Sequence, residues 1–125
     1  MKQIVKQSKI VKAYRALAAL AETDIPLRAS YQIFLLKKIL EPHYLFQAEK
    51  EKKMLDGLGG IVNKDGAIKF KQADAVNKFK NTIKELGDID VEIDFEPVIL
   101  DMNQMEDLKM KANDIECLDG FVKFV

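Results

Sequence analysis

Asp88-Ile89-Asp90-Val91-Glu92-Ile93-Asp94-Phe95-Glu96 alternates acidic and apolar residues without a break. Successive side chains of a strand point to opposite faces, so this period of two predicts a half-buried β-strand. Ile89, Val91, Ile93 and Phe95 would face a core, and the other face would be wholly acidic. Pro97 ends or bends the strand, and Val98-Ile99-Leu100 can resume it. Everything around this strand has to supply the apolar surface that its inner face needs.

Upstream, Ile61-Val62-Asn63-Lys64-Asp65-Gly66-Ala67-Ile68-Lys69-Phe70 reads as a β-hairpin, with Asp-Gly supplying the positive φ angles of a tight turn. Between hairpin and strand, Val76, Phe79, Ile83 and Leu86 recur at helical spacing, predicting a helix from Ala73 to Leu86 that Gly87 ends. Nearer the start, Ile10, Val11, Tyr14, Leu17, Ala18 and Ala21 predict a helix from Ser8 to Glu22, with Ser8 as N-cap. After Pro26, a long helix is expected from Leu27 to Asp56. Its first half carries Tyr31, Ile33, Phe34, Leu35, Leu36, Ile39 and Leu40 on several sides, the mark of a helix covered by several neighbours. Pro42 removes a backbone donor within it, so a kink or break is expected there. Gly57, Gly59 and Gly60 stop the helix. After the acidic strand, Asp107 to Lys111 reads as a short strand. Asn113 or Asp114 would cap a last helix carrying Ile115, Leu118, Phe121 and Val122.

These elements give one α+β domain over residues 1–125. Two to three helices, one long and Pro-interrupted, pack on a small, mostly antiparallel sheet built from the hairpin and the acidic strand. A chain of 125 residues with 48% hydrophobic and 32% charged residues can bury one core. No window approaches the roughly 20 apolar residues of a membrane-spanning helix, so no membrane role is expected. Met1 to Gln7 shows no secretory signal, and Cys117, the single cysteine, fits a reducing compartment.

The net charge of zero hides a division. Residues 1–84 carry seventeen Lys and Arg against eight Asp and Glu, while residues 85–125 carry three against twelve. The concentrated part is the strand, whose Asp88, Asp90, Glu92, Asp94 and Glu96 are the candidate partner-binding residues. They would form a docking face for a basic protein, a cation site, a charged edge that blocks aggregation, or a surface paired with Lys69 and Lys71 of the hairpin. The EF-hand loop pattern is absent. Lys2, Lys6, Lys9, Lys12 and Arg15 make a basic N-terminal segment, but without interleaved aromatics or a helix-turn-helix they read as a solvated face. His43 has no second His or Cys nearby to complete a zinc set, and Cys117 has no base in sequence reach. Gly57-Leu58-Gly59-Gly60 follows a helix and lacks the Gly-Lys-Ser/Thr of a phosphate loop. No catalytic residue, metal or cofactor is assigned.

Three stretches, Lys12-Ala13-Tyr14-Arg15-Ala16-Leu17, Leu40-Glu41-Pro42-His43 running into Ala48-Glu49-Lys50-Glu51, and Cys117-Leu118-Asp119-Gly120-Phe121-Val122, occur in an order that resembles an uncharacterised family of small phage- and prophage-encoded proteins from gut Firmicutes. The shared features are architectural, and no active-site residue transfers. The resemblance implies a phage or mobile-element origin and a location in the bacterial cytoplasm or the virion. The expected function is that of a non-enzymatic protein-interaction or assembly protein, with a protein partner or self-association. The alternative is a regulator or inhibitor of nucleic acid, or of a nucleic-acid enzyme, acting through the acidic strand or the basic N-terminal segment.

Overall fold

Ile10, Ala13, Leu17 and Leu20 repeat at the spacing of one helix face and are almost wholly buried. They belong to helix α1 (Gln7–Ala21), which lies against α2 (Leu27–Gly57). The computed structural model describes residues 1–125 except Gly66, Lys71, Glu106 and Asp107 and the side chain of Val62. Gln7 Nε2 donates to the His43 carbonyl at 2.8 Å, the Tyr14 and Tyr44 rings stack at 4.3 Å, and Lys37 lies over Tyr14. These contacts set α1 and α2 antiparallel. The other elements among the described residues are β1 (Lys2–Lys6), β2 (Ile61–Val62), β3 (Ile68–Lys69), α3 (Ala73–Gly87), β4 (Asp90–Asp94), β5 (Val98–Leu100), α4 (Ala112–Cys117) and β6 (Val122–Phe124), with a 3-10 turn at Met102–Gln104.

The α+β class holds, but the strands form three separate two-stranded sheets. β1 pairs antiparallel with β4, β2 with β3, and β5 runs parallel to β6. The expected single sheet of hairpin and acidic strand is therefore corrected. The core joins α1 and the first half of α2 to Ile93, Phe95, Val98, Leu100, Leu118, Phe121 and Val122. Phe95 stacks on Phe121 at 5.1 Å, which ties the acidic strand to the C-terminal segment. That segment needs two corrections. Residues 108–111 are irregular where a strand was expected, and Asp107 lies outside the described residues. The last helix ends at Cys117, so Phe121 and Val122 lie beyond it. Gly120 turns the chain at φ 86°, which frees Val122 to Phe124 to pair with β5.

Two helix starts also differ. α1 begins at Gln7 with Lys6 at the N-cap and no side-chain cap bond, so Ser8 lies inside the helix. Its first amide is satisfied instead by the Ile89 carbonyl at 2.9 Å, a bond that only the approach of the acidic segment provides. α4 begins at Ala112 with Lys111 at the N-cap, so Asn113 and Asp114 lie inside the helix and neither caps it, whereas α2 begins at Leu27 as expected, with Pro26 at its N-cap. The expected break at Pro42 is absent, and α2 runs through it as one helix of 31 residues. Proline costs a helix about 3 kcal/mol through one lost hydrogen bond and a ring clash. Ending α2 there would cost more, because Gln47 one turn later is buried and the Tyr44 ring is stacked on α1. The hairpin is present, with Asn63 donating to the Ala67 carbonyl at 2.7 Å, although the Asp-Gly turn falls partly on Gly66, outside the described residues.

Pro42→Ala restores the missing amide on a continuous helix. It should raise the unfolding free energy in urea by about 1–3 kcal/mol. A loss of stability would mean that the proline sets a bend the fold requires. Leu40→Ala, at a wholly buried position, should cost about 2–5 kcal/mol in the same titration.

Candidate functional site

The acidic strand has a counterpart at the start of the chain. In the β1–β4 register Lys2 lies opposite Asp94, Ile4 opposite Glu92 and Lys6 opposite Asp90. The two outer faces therefore bring cations to carboxylates. Lys6 Nζ is 2.7 Å from Asp90 Oδ1 and also donates to the Asp88 carbonyl, and Lys2 Nζ is 3.8 Å from Glu92. The Met1 α-amino group donates to Asp94 at 2.7 Å and to Glu96 at 3.1 Å. Hydrogen bonding to Asp94 and Glu96 raises the pKa of that amine, and the bond to Asp90 raises that of Lys6. All five acids of the strand are exposed. Asp90, Glu92, Asp94 and Glu96 each have a β1-side cation within 4 Å.

The predicted partners, Lys69 and Lys71, are not those cations. Lys69 belongs to the separate β2–β3 sheet, and Lys71 lies outside the described residues. Sequence reasoning missed β1 because Ile4 points outward and is 72% exposed, leaving Val5 as the one buried residue of the strand. The signal that would have found it is electrostatic. Lysines four apart at the chain start match acids four apart at Asp90 and Asp94 when the strands run antiparallel. On the inner face, Val5 and Ile93 are buried and Val91 is half-buried, but Ile89, expected in the core, precedes β4 and is 46% exposed, because its carbonyl is turned to the first amide of α1.

Other residues singled out in the sequence do not converge on one centre. His43 is half-buried on α2, where its carbonyl accepts the Gln7 amide. Cys117 is half-buried beside a polar depression lined by Ser8, Lys9, Lys12, Asn113, Glu116 and Asp119, which contains no imidazole. Among the described residues, no group of three or more His, Cys, Asp or Glu is placed to hold a metal ion, and no helix is long and apolar enough to cross a membrane.

A different surface emerges on α2. Ala29, Ile33, Leu36 and Leu40 form its buried stripe. Displaced from them by two residues are Leu27, Tyr31, Phe34 and Lys38, with Leu45 continuing the line. Two residues correspond to about 200° around a helix, so this second stripe lies on the opposite side. Leu27 is 87% exposed, Tyr31 59%, Phe34 50% and Leu45 54%, and the exposed Leu35, Ile39 and Phe46 lie on the flank about 80–120° round the helix, Leu35 and Ile39 beside Pro97 and Val98. The expectation that α2 is covered by several neighbours is thereby corrected. α1, β5 and α3 all pack on α2, but among the described residues none of them covers the line of Leu27, Tyr31, Phe34 and Leu45. Lys38 partly shields this face, lying 5.7 Å from the Phe34 ring centre and 3.6 Å from the Glu41 carboxylate.

No family model matches the chain, and neither a curated protein nor a solved structure is similar to it.

The β1–β4 charge pairing is testable through Lys6. Its raised pKa means that its contribution is complete below the ordinary lysine value and fades as pH rises through the raised one. Lys6→Met should melt below wild type at neutral pH, and the gap should close in that alkaline range. It should also narrow in about 1 M salt. Lys6→Asp and Asp90→Lys should each lower the melting temperature, and the double variant should recover most of the loss.

Proposed function

We propose that this chain is a non-enzymatic protein-interaction protein, serving assembly or an accessory role, and that it binds through the exposed face of α2. The observation that carries this reading is the row of aromatic and aliphatic side chains left open on that helix. Soluble proteins rarely leave a contiguous apolar patch of this extent uncovered unless something docks on it. Tyr and Phe are enriched at the centres of protein interfaces, where they gain apolar burial with few rotors to freeze.

The acidic strand supports the reading in a different way. A regulator that mimics or binds nucleic acid through one charged segment is best served by a segment without counter-charges, whereas here the Met1 amine, Lys2 and Lys6 offset part of the charge of the exposed acids. Lys2 and Lys6 are the lysines of the basic block that pair with this segment among the described residues, and the apolar face of α2 is the surface on which this reading rests. The phage or prophage origin implied by the sequence resemblance places the chain in the cytoplasm of a bacterial host or in a virion, and belongs to the same proposal.

A photo-crosslinking amino acid at Phe46 should give protein adducts in the source cells, and the same group at the exposed Lys84 on α3 should not. Adducts from neither position, or equally from both, would count against the reading. A band shift with nucleic acid that Lys2→Glu and Lys6→Glu abolish would favour the regulator instead.

A further inference from the structure

Building on the interaction reading, we infer that the occupant of the α2 face is a second copy of this chain, docked antiparallel across a two-fold axis. The stripe Leu27, Tyr31, Phe34, Lys38, Glu41 and Leu45 advances by alternating steps of four and three residues, the heptad spacing of a helix–helix seam. A seam of this kind can join two copies only in a register that satisfies its central charges. Lys38 and Glu41 occupy consecutive positions in the middle of it, with Glu41 only 35% exposed. In a parallel pair, Lys38 would meet Lys38 and Glu41 would meet Glu41, which is repulsive. In an antiparallel pair centred between Ile39 and Leu40, each Lys38 meets Glu41 of the partner subunit, so four charges neutralise in one layer.

The same centre sets the flanks. Phe34 comes opposite Leu45 of the partner subunit and Tyr31 opposite the partner subunit's Ala48, while Leu27 comes opposite the partner subunit's Lys52, whose aliphatic stem it can cover. At the edge, Arg28 and the partner subunit's Glu49 flank the seam two positions off direct register, within reach of a long side chain, and both are exposed in the single chain. Sliding the partner by one heptad places Phe34 against the partner subunit's Lys38 and removes the Lys38–Glu41 match. A polar layer inside an apolar seam costs stability and specifies register and orientation. A two-fold interface requires a surface complementary to itself, and this one is.

The apolar area is of the right order. The exposed fractions of Leu27, Tyr31, Phe34 and Leu45 correspond to roughly 450–500 Å² of accessible surface, close to the non-polar share of the 800 Å² per partner of a standard stable interface.

Sedimentation equilibrium or light scattering across concentration tests the proposal. Wild type should be dimeric at about 50 µM, within the micromolar-or-tighter range of interfaces this size. Phe34→Asp should be monomeric there while keeping the wild-type circular dichroism spectrum. Lys38→Glu and Glu41→Lys should each weaken the dimer about tenfold or more, and the double reversal should restore it, because the layer is then neutral again. Orientation is read by cysteines in a Cys117→Ser background. Phe34→Cys mixed with Leu45→Cys should form a mixed disulfide readily, and Phe34→Cys alone should form little. A wild type monomeric at every concentration overturns the inference, even if the Phe46 crosslinker captures another protein and the interaction reading survives. Dimerisation unaffected by Phe34→Asp also overturns it, and so does preferential disulfide formation of Phe34→Cys with itself.

Discussion

The packing of α1 against the first half of α2 is the contact on which the other elements depend. Small residues at Ala13 and Ala16, both buried, leave room on α1, and Leu17 and Leu20 are wholly enclosed beside them. The apolar side chains of β4, β5, α4 and β6 join the same cluster and supply its remaining wall. Each of these later pieces is short and has little hydrogen bonding of its own, so each is held by what it buries on the helix pair. The β1–β4 pair adds a clasp, because it brings the Ile89 carbonyl to the first amide of α1.

This constraint has a direct consequence for α2. A helix of 31 residues spans about 46 Å at the usual rise, much longer than the 15-residue α1 that covers it. α1, β5 and α3 together leave the line of Leu27, Tyr31, Phe34 and Leu45 uncovered. These residues are nevertheless apolar, and an apolar exposed helix face is a solubility liability that a chain of this size does not need for folding. Function, in this account, lies where the folding requirement stops.

The parts of the fold legible in the sequence were those with strong periodicity. Val91, Ile93 and Phe95 alternate with acids, and Val76, Phe79, Ile83 and Leu86 repeat as a helix. In both cases one local rule accounts for every residue in the stretch. The missed parts were settled by tertiary partners. Lys2 to Lys6 has a single inward apolar residue and becomes a strand because β4 presents matching charges. Phe121 and Val122 continue a helical spacing but leave the helix, because β5 offers a strand edge and Phe95 a ring to stack on. Pro42 marked a break that packing on both sides of it overrode. The candidate site was half visible. The excess of apolar residues on α2 could be read from the sequence, but which side they were left on depends on where α1 and β5 settle. The acids of β4 drew attention because charge is conspicuous in a sequence, whereas their counter-charges lay more than eighty residues away.

The central claim is that α2 is buried on one side by its own chain and open on the other until a partner covers it. Carbene footprinting read residue by residue at two protein concentrations tests this most directly. Leu36 and Leu40 should be protected at both concentrations, whereas Phe34 and Leu45 should label strongly in dilute protein and become protected in concentrated protein. Protection of Phe34 and Leu45 in the dilute chain would contradict the account, since it would mean that the chain covers this face itself.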